Sequence, residues 1–288
     1  MTDLCKALLC LLVSLVLAGV SAGCGGEDEA DETLVVLTPH NEDIRREFGQ
    51  AFEQWYQAEH GTSVDVEWRS FGSSELLEML RQSYANTDAP GFDVAFGGGE
   101  TNYMYMADDG LLVPAELDAN TLSNIPATLG GQRLYDAEKR WIGAAVSGFG
   151  FIYNKELLLA QGIEPPKVWD DLAGSAFYGK LALADPTQSG SAAAAYEMIV
   201  LSEADWPAGW GKLLATLGNS KTFVDSAGRA ADAPATGEAM VATCIDFYGT
   251  MRVAKAPEGL EYVSPMGETV LSPDPIAAGL KPPEASRQ

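Results

Sequence analysis

Apolar and polar positions follow two distinct rhythms along the chain. Leu34-Val35-Val36-Leu37-Thr38 is a short apolar run suited to a buried strand, and from Asn41 onward Ile44, Phe48, Phe52 and Trp55 fall on one helical face. The alternation then returns. Ser63 to Trp68 reads as a strand, Gly72-Ser73-Ser74-Glu75 opens a helix, and Leu76, Leu77, Met79 and Leu80 supply its apolar side. Phe92 to Phe96 forms a third strand, stopped by Gly97-Gly98-Gly99. Strand and helix in alternation predict an α/β fold with mainly parallel sheets flanked by helices.

Beyond Pro114 the texture changes. Trp141 to Tyr153 is a long, glycine-bearing extended stretch able to pass from one lobe to another. A second α/β set follows, with Lys180–Ala184 as strand, Asp185–Ser191 as turn and Ala192–Leu201 as helix. Thr222–Val224 and Ala242–Ile245 read as further strands, and Glu261–Pro265 as a segment that carries the chain back. The division expected is lobe I over 34–146, lobe II over 147–261 and a return segment over 262–288. Two such lobes joined by two hinge crossovers enclose a cleft at the carboxyl ends of their strands, where open sheets bind ligands.

The extreme N-terminus has a different character. Ala7 to Val20 is continuously apolar, too short to span a bilayer comfortably, and is followed by Ser21-Ala22-Gly23 and then Cys24. That layout predicts a lipoprotein signal peptide over 1–23, cleaved before a lipidated Cys24. Ser21 stands where such signals usually carry Leu, and an ordinary cleaved signal or a single anchor helix are the alternatives. Residues 24–33 combine glycine with repelling charge and predict a tether. The expected location is the periplasmic side of the cell envelope, held at a membrane through the lipid. With Cys5 and Cys10 in the leader, Cys244 is the one thiol of the body, so no internal disulfide is expected. The formal net charge of -23 argues against nucleic acid, whose backbone needs clustered Lys and Arg; its simplest meaning is solubility.

The ordered set Leu37–Glu42, Asp93–Glu100, Gly110–Pro114, Gly148–Asn154, Val168–Leu172 and Asp185–Gly190 resembles the periplasmic solute-binding proteins of ABC importers. Within them it resembles the ferric-iron-binding branch, of the type II two-lobe fold. The resemblance covers residues 34 to about 280. It implies two hinged lobes closing on a small ligand that is delivered to an importer permease, with the protein acting as a monomer and no cofactor required. Ferric iron with a synergistic anion is the implied cargo, held by His40, Glu100 and Tyr248. Here only Tyr248, in Asp246-Phe247-Tyr248, occupies the place of the family's tyrosine pair, and three protein groups half-supply a six-coordinate metal. The family also continues beyond the Asp274 region with closing helices, whereas this sequence stops at Gln288.

The ligand-contact candidates are therefore His40 and Asn41 after the first strand, Ser73, Ser74, Gly99 and Glu100 on the same lobe, and Ser189, Ser191, Asp246 and Tyr248 on the other. Each has a plainer role available. His40 and the serines suit helix N-caps, Glu100 suits a solvated loop, and Tyr248 suits a core. Ser73–Ser74 and Ser189–Ser191 sit at the mouths of predicted helices, whose hydroxyls and N–H groups suit a carboxylate or phosphate; a small organic or phosphorylated anion is thus the competing cargo. His60, before Gly61, is expected to end a helix, and Asp185 to shape a turn. Tyr103, Met104, Tyr105 and Met106 alternate and are expected to pack beneath the loop after Glu100. No nucleophile elbow, zinc-protease or Walker motif is present, so an enzyme is not expected. An envelope hydrolase using Glu100 and His40 is one rival, and a shortened receptor that docks to a partner without ligand is another.

Overall fold

The computed structural model describes residues 30–85, 92–117, 119–265 and 271–279. The leader, Cys24 and the tether up to residue 29 lie outside them, as do residues 280–288. Among the described residues no helix is long and apolar enough to cross a membrane.

Two sheets organise the chain. The first has the order β2-β1-β3-β13-β4, with β7 also on β13. It is built from β1 (Glu32–Thr38), β2 (Val64–Ser70), β3 (Val94–Phe96), β4 (Leu112–Val113), β7 (Ile142–Ser147) and β13 (Ser272–Gly279). β1 runs parallel to β2 and β3, while β13 is antiparallel to β3, β4 and β7. The second sheet has the order β10-β9-β11-β8-β12, formed by β8 (Phe149–Asn154), β9 (Leu181–Ala184), β10 (Ser220–Val224), β11 (Val241–Ile245) and β12 (Leu260–Val263). β9 is parallel to β10 and β11, and β8 is antiparallel to β11 and β12. A two-strand ribbon, β5 (Thr128–Leu129) and β6 (Gln132–Arg133), turns through Gly130 and Gly131, both at positive φ.

The chain passes between the sheets at Gly148, where β7 ends and β8 begins, within the extended segment expected to make that crossing. β12 still belongs to the second sheet, so the return crossing lies after Val263, and β13 lays the chain back into the first sheet. Asp246 binds the first crossing from both sides: Gly148 N–H donates to its Oδ2 at 2.7 Å, and its own N–H donates to the Gly148 carbonyl at 2.9 Å.

Each sheet has its own core, as two lobes require. Lobe I packs α1 (Glu42–His60), α2 (Ser73–Ala85) and α3 (Glu100–Asp108) on the first sheet, burying Leu37, Leu76, Leu80, Tyr103, Met106 and Trp141. A short α4 (Ala119–Ser123) follows. α1 ends as its sequence predicts, with His60 in the last turn and Gly61 left-handed at φ 74°. Tyr103 and Met106 are buried in α3 but Met104 and Tyr105 are exposed, because the segment is a helix of period 3.6 and not an alternating loop.

Lobe II carries α5 (Lys155–Ala160), α6 (Trp169–Ala173), α7 (Gly190–Leu201), α8 (Trp206–Gly218), α9 (Ala227–Thr236) and α10 (Asp246–Lys255). Phe151, Trp169, Leu172, Leu181 and Ile199 centre its core. β11 reads Val241-Ala-Thr-Cys-Ile245 with every residue buried, the near-continuous apolar pattern of a central strand covered on both faces.

Candidate functional site

The parallel strands all end at one place. β1 runs into Pro39-His40-Asn41, β2 into Phe71-Gly72-Ser73, β9 into Thr187-Gln188-Ser189, β10 into Asp225-Ser226 and β11 into Phe247-Tyr248, and residues of every one of these loops line a single cleft of about 910 Å³. Gly98 and Gly99, after β3, close the same wall. Helices leave from these loops, so their N-termini converge on the cleft from both lobes.

The caps follow ordinary side-chain chemistry. Asn41 Oδ1 accepts from Ile44 N–H at 3.1 Å, Ser189 Oγ from Ala192 N–H at 3.3 Å, and Ser226 Oγ from Arg229 N–H at 3.3 Å. One orphan donor per helix is satisfied in this way. The first-turn N–H groups of Ser73 and Ser74, Gly190 and Ser191, and Ala227 and Gly228 have no intrahelical acceptor and lie at the wall of the cleft. Aligned peptide dipoles add a partial positive charge at each mouth. Donors arriving from two lobes suit an anion enclosed between them.

The lobes touch across this cleft. A Cβ added at Gly190 of lobe II would stand 2.9 Å from the Gly98 carbonyl oxygen and 3.3 Å from Ser73 Cβ of lobe I, and one at Gly72 would stand 3.1 Å from the Gln188 carbonyl oxygen. Glycine permits these backbones to meet. At the rim Lys255 Nζ of α10 lies 3.1 Å from Asp43 Oδ2 of α1.

Of the residues singled out in the sequence, His40, Asn41, Ser73, Ser74, Gly99, Ser189, Ser191 and Tyr248 all line the cleft. Asp246 and Glu100 do not. Asp246 is spent on the crossing at Gly148 and on the Phe247 N–H, 2.7 Å from its Oδ1. Glu100 opens α3 and lies 3.8 Å from Arg133; burial raises its carboxyl pKa, and the Arg133 charge opposes that rise.

His40 is buried with both ring nitrogens engaged, Nδ1 with Thr38 Oγ1 at 2.9 Å and Nε2 with Asp274 Oδ2 at 2.7 Å. Its ring also packs against Phe96 with centroids 4.5 Å apart. Burial, with Asp274 adding to it, pushes the Tyr248 phenol up to about 12, so it is protonated at neutral pH. Glu100, unlike His40 and Tyr248, is not among the residues that line the cleft. Among the described residues no group of three or more His, Cys, Asp or Glu side chains is arranged to hold a metal.

The sequence reading missed Arg45, Ser226, Arg229, Arg252 and Asp274, all cleft-lining. Ser226 carried a usable signal, a serine directly before an alanine-rich run. Asp274 carried none, because its partner His40 is 234 residues away.

Comparison with known proteins agrees with this geometry. Residues 50–277 match the family model described as bacterial extracellular solute-binding protein. The phosphoglycerate transport regulatory protein PgtC of Salmonella typhimurium is 32% identical over 110 residues, 38% of this chain but only 28% of that relative's length. Among solved structures, the fructose-6-phosphate-bound periplasmic binding protein AfuA from Actinobacillus pleuropneumoniae superposes with a TM-score of 0.74 at 21% identity, covering 90% of this chain and 77% of that one. Iron-bound HitA from Pseudomonas aeruginosa gives 0.62 at 18% identity, covering 86% and 75%. These structural likenesses establish the fold, two lobes of the periplasmic-binding-protein type. The family match spans most of the sequence, and the chain belongs to the bacterial extracellular solute-binding proteins.

Proposed function

We propose that this protein is the receptor of an ABC importer and that its cargo is a small phosphorylated organic anion. One observation carries the choice of cargo: helix N-termini from both lobes, with first-turn N–H groups that have no intrahelical acceptor, converge on one cleft. A phosphate group offers the acceptors those N–H donors lack. The cleft's aromatic residues Phe71, Phe149 and Phe247 and its carboxylates suit the carbon skeleton and hydroxyls of such a molecule. PgtC is named for phosphoglycerate transport and AfuA is bound to fructose 6-phosphate, which agrees with this chemistry. Ferric iron is the weaker reading, because His40 is committed to Thr38 and Asp274 and Glu100 stands apart.

Binding shifts an equilibrium between open and closed lobes and involves no covalent step. The leader and Cys24 supply a lipid anchor at the cell envelope, the tether lets a monomeric body move near the membrane, and the closed form is handed to the permease. A thermal-shift series tests the cargo. Fructose 6-phosphate or 3-phosphoglycerate stabilises the protein by about 2.7 kcal/mol when present at a hundred times its Kd. Fructose and glycerate at the same concentration leave the transition in place. Stabilisation by ferric citrate, with none from any phosphate ester, contradicts the proposal.

A further inference from the structure

We propose that Arg45 is the residue that recognises the charge of the bound anion, an inference that rests on the phosphorylated-anion reading of the cleft. Arg45 lies one turn beyond the Asn41 cap on α1 and lines the cleft. Its Nε is buried without a hydrogen-bond partner. A guanidinium donor enclosed in this way costs stability unless an acceptor reaches it, and the acceptor it fits best is a planar or tetrahedral oxyanion taken in bidentate fashion.

The surrounding charges sharpen the assignment. Two further arginines line the cleft, both on lobe II, and both are already paired: Arg229 Nη1 with Asp225 Oδ2 at 2.7 Å, and Arg252 Nε with Asp232 Oδ1 at 2.9 Å. Arg252 also donates to the Gly228 and Tyr248 carbonyls. Arg46, the neighbour of Arg45, is spent on Asp43 at 3.0 Å. Of the cleft's acids, Asp274 holds His40, and Glu75 Oε2 accepts from the Gly72 N–H at 3.4 Å. No ion pair ties Arg45 to any described carboxylate. Among the described cations that line the cleft, Arg45 is the one without an ion pair, and its counter-ion is the ligand. The helix mouths supply directional N–H donors, whereas Arg45 supplies full charge, so it sets the preference for a phosphorylated compound over its unphosphorylated, less negatively charged parent.

Calorimetric titration of the purified full chain tests this with fructose 6-phosphate, 3-phosphoglycerate and their parents fructose and glycerate as probes. The wild type binds a phosphorylated probe. Arg45→Gln weakens that binding about 10- to 100-fold, the range for losing a hydrogen bond to a charged group, and lowers the ratio of phosphorylated to parent affinity. Arg45→Lys restores part of the affinity, because a point charge replaces a bidentate fork. Ligand-free melting temperatures within a few degrees of wild type establish that both variants fold. Wild-type binding with equal affinity in Arg45→Gln overturns the role of Arg45 and leaves the cargo class standing. Absence of wild-type binding to either phosphorylated probe overturns both.

Discussion

His40 is held by residues at opposite ends of the sequence, Thr38 beside it and Asp274 on β13. Removing the carboxylate strands a buried ring nitrogen, so Asp274→Ala is expected to cost roughly 1–3 kcal/mol in urea unfolding. Asp136 makes a bidentate pair with Arg140, at 2.7 and 3.0 Å, which holds its carboxyl well below the usual range, at about 2. A depressed folded pKa stabilises above the unfolded pKa and loses that contribution as pH falls through it. Asp136→Asn is therefore expected to cost about 2 kcal/mol at pH 7, and the deficit to shrink to roughly half at pH 3. Burial pushes the Cys244 thiol up to about 12, so peptide mapping after iodoacetamide at pH 8 should find it unmodified in native protein and alkylated after denaturation. At this scale the sequence was only half legible. Asn41, Ser73 and Ser189 could be placed at the cleft because caps are local signals. The commitment of His40 to Asp274 could not be read, since residue type alone does not reveal a distant partner.

Secondary elements act here mainly through their ends. α2, α7 and α9 start at the cleft, and the strands before them fix where each mouth points. The α7 mouth approaches the loop after β3 closely at Gly190. Gly190→Ala places a methyl carbon 2.9 Å from the Gly98 backbone carbonyl, so affinity for a phosphorylated probe should fall about tenfold in calorimetric titration. Equal affinity in that variant would mean the contact at Gly190 is not needed for binding. Ser226→Ala removes the α9 cap and is expected to cost about 1 kcal/mol in thermal unfolding. The Lys255–Asp43 pair at the rim is exposed, and pairs of that kind add little. β1, β2, β3, β9 and β11 were legible because each is a short apolar or alternating run. α9 and α10 were not. Ala227–Thr236 is alanine-rich with Pro234 inside it, and Asp246–Lys255 mixes its apolar residues with glycine and charge.

The whole molecule is two α/β lobes sharing crossings at Gly148 and after Val263, with the carboxyl ends of their parallel strands turned toward each other. That architecture was readable because strand–helix alternation repeats twice, with an extended glycine-bearing stretch between the repeats. The cargo was less readable, since the choice between metal and anion depends on which side chains meet in space. His40, Glu100 and Tyr248 are compatible donors by type, but Glu100 does not line the cleft, whereas helix mouths far apart in sequence do. Native mass spectrometry of the protein, purified without denaturation and then loaded with equimolar fructose 6-phosphate, 3-phosphoglycerate and ferric citrate, discriminates most directly. The expected spectrum carries one phosphate ester per chain and no iron. A spectrum with bound iron and neither phosphate ester would contradict an anion receptor.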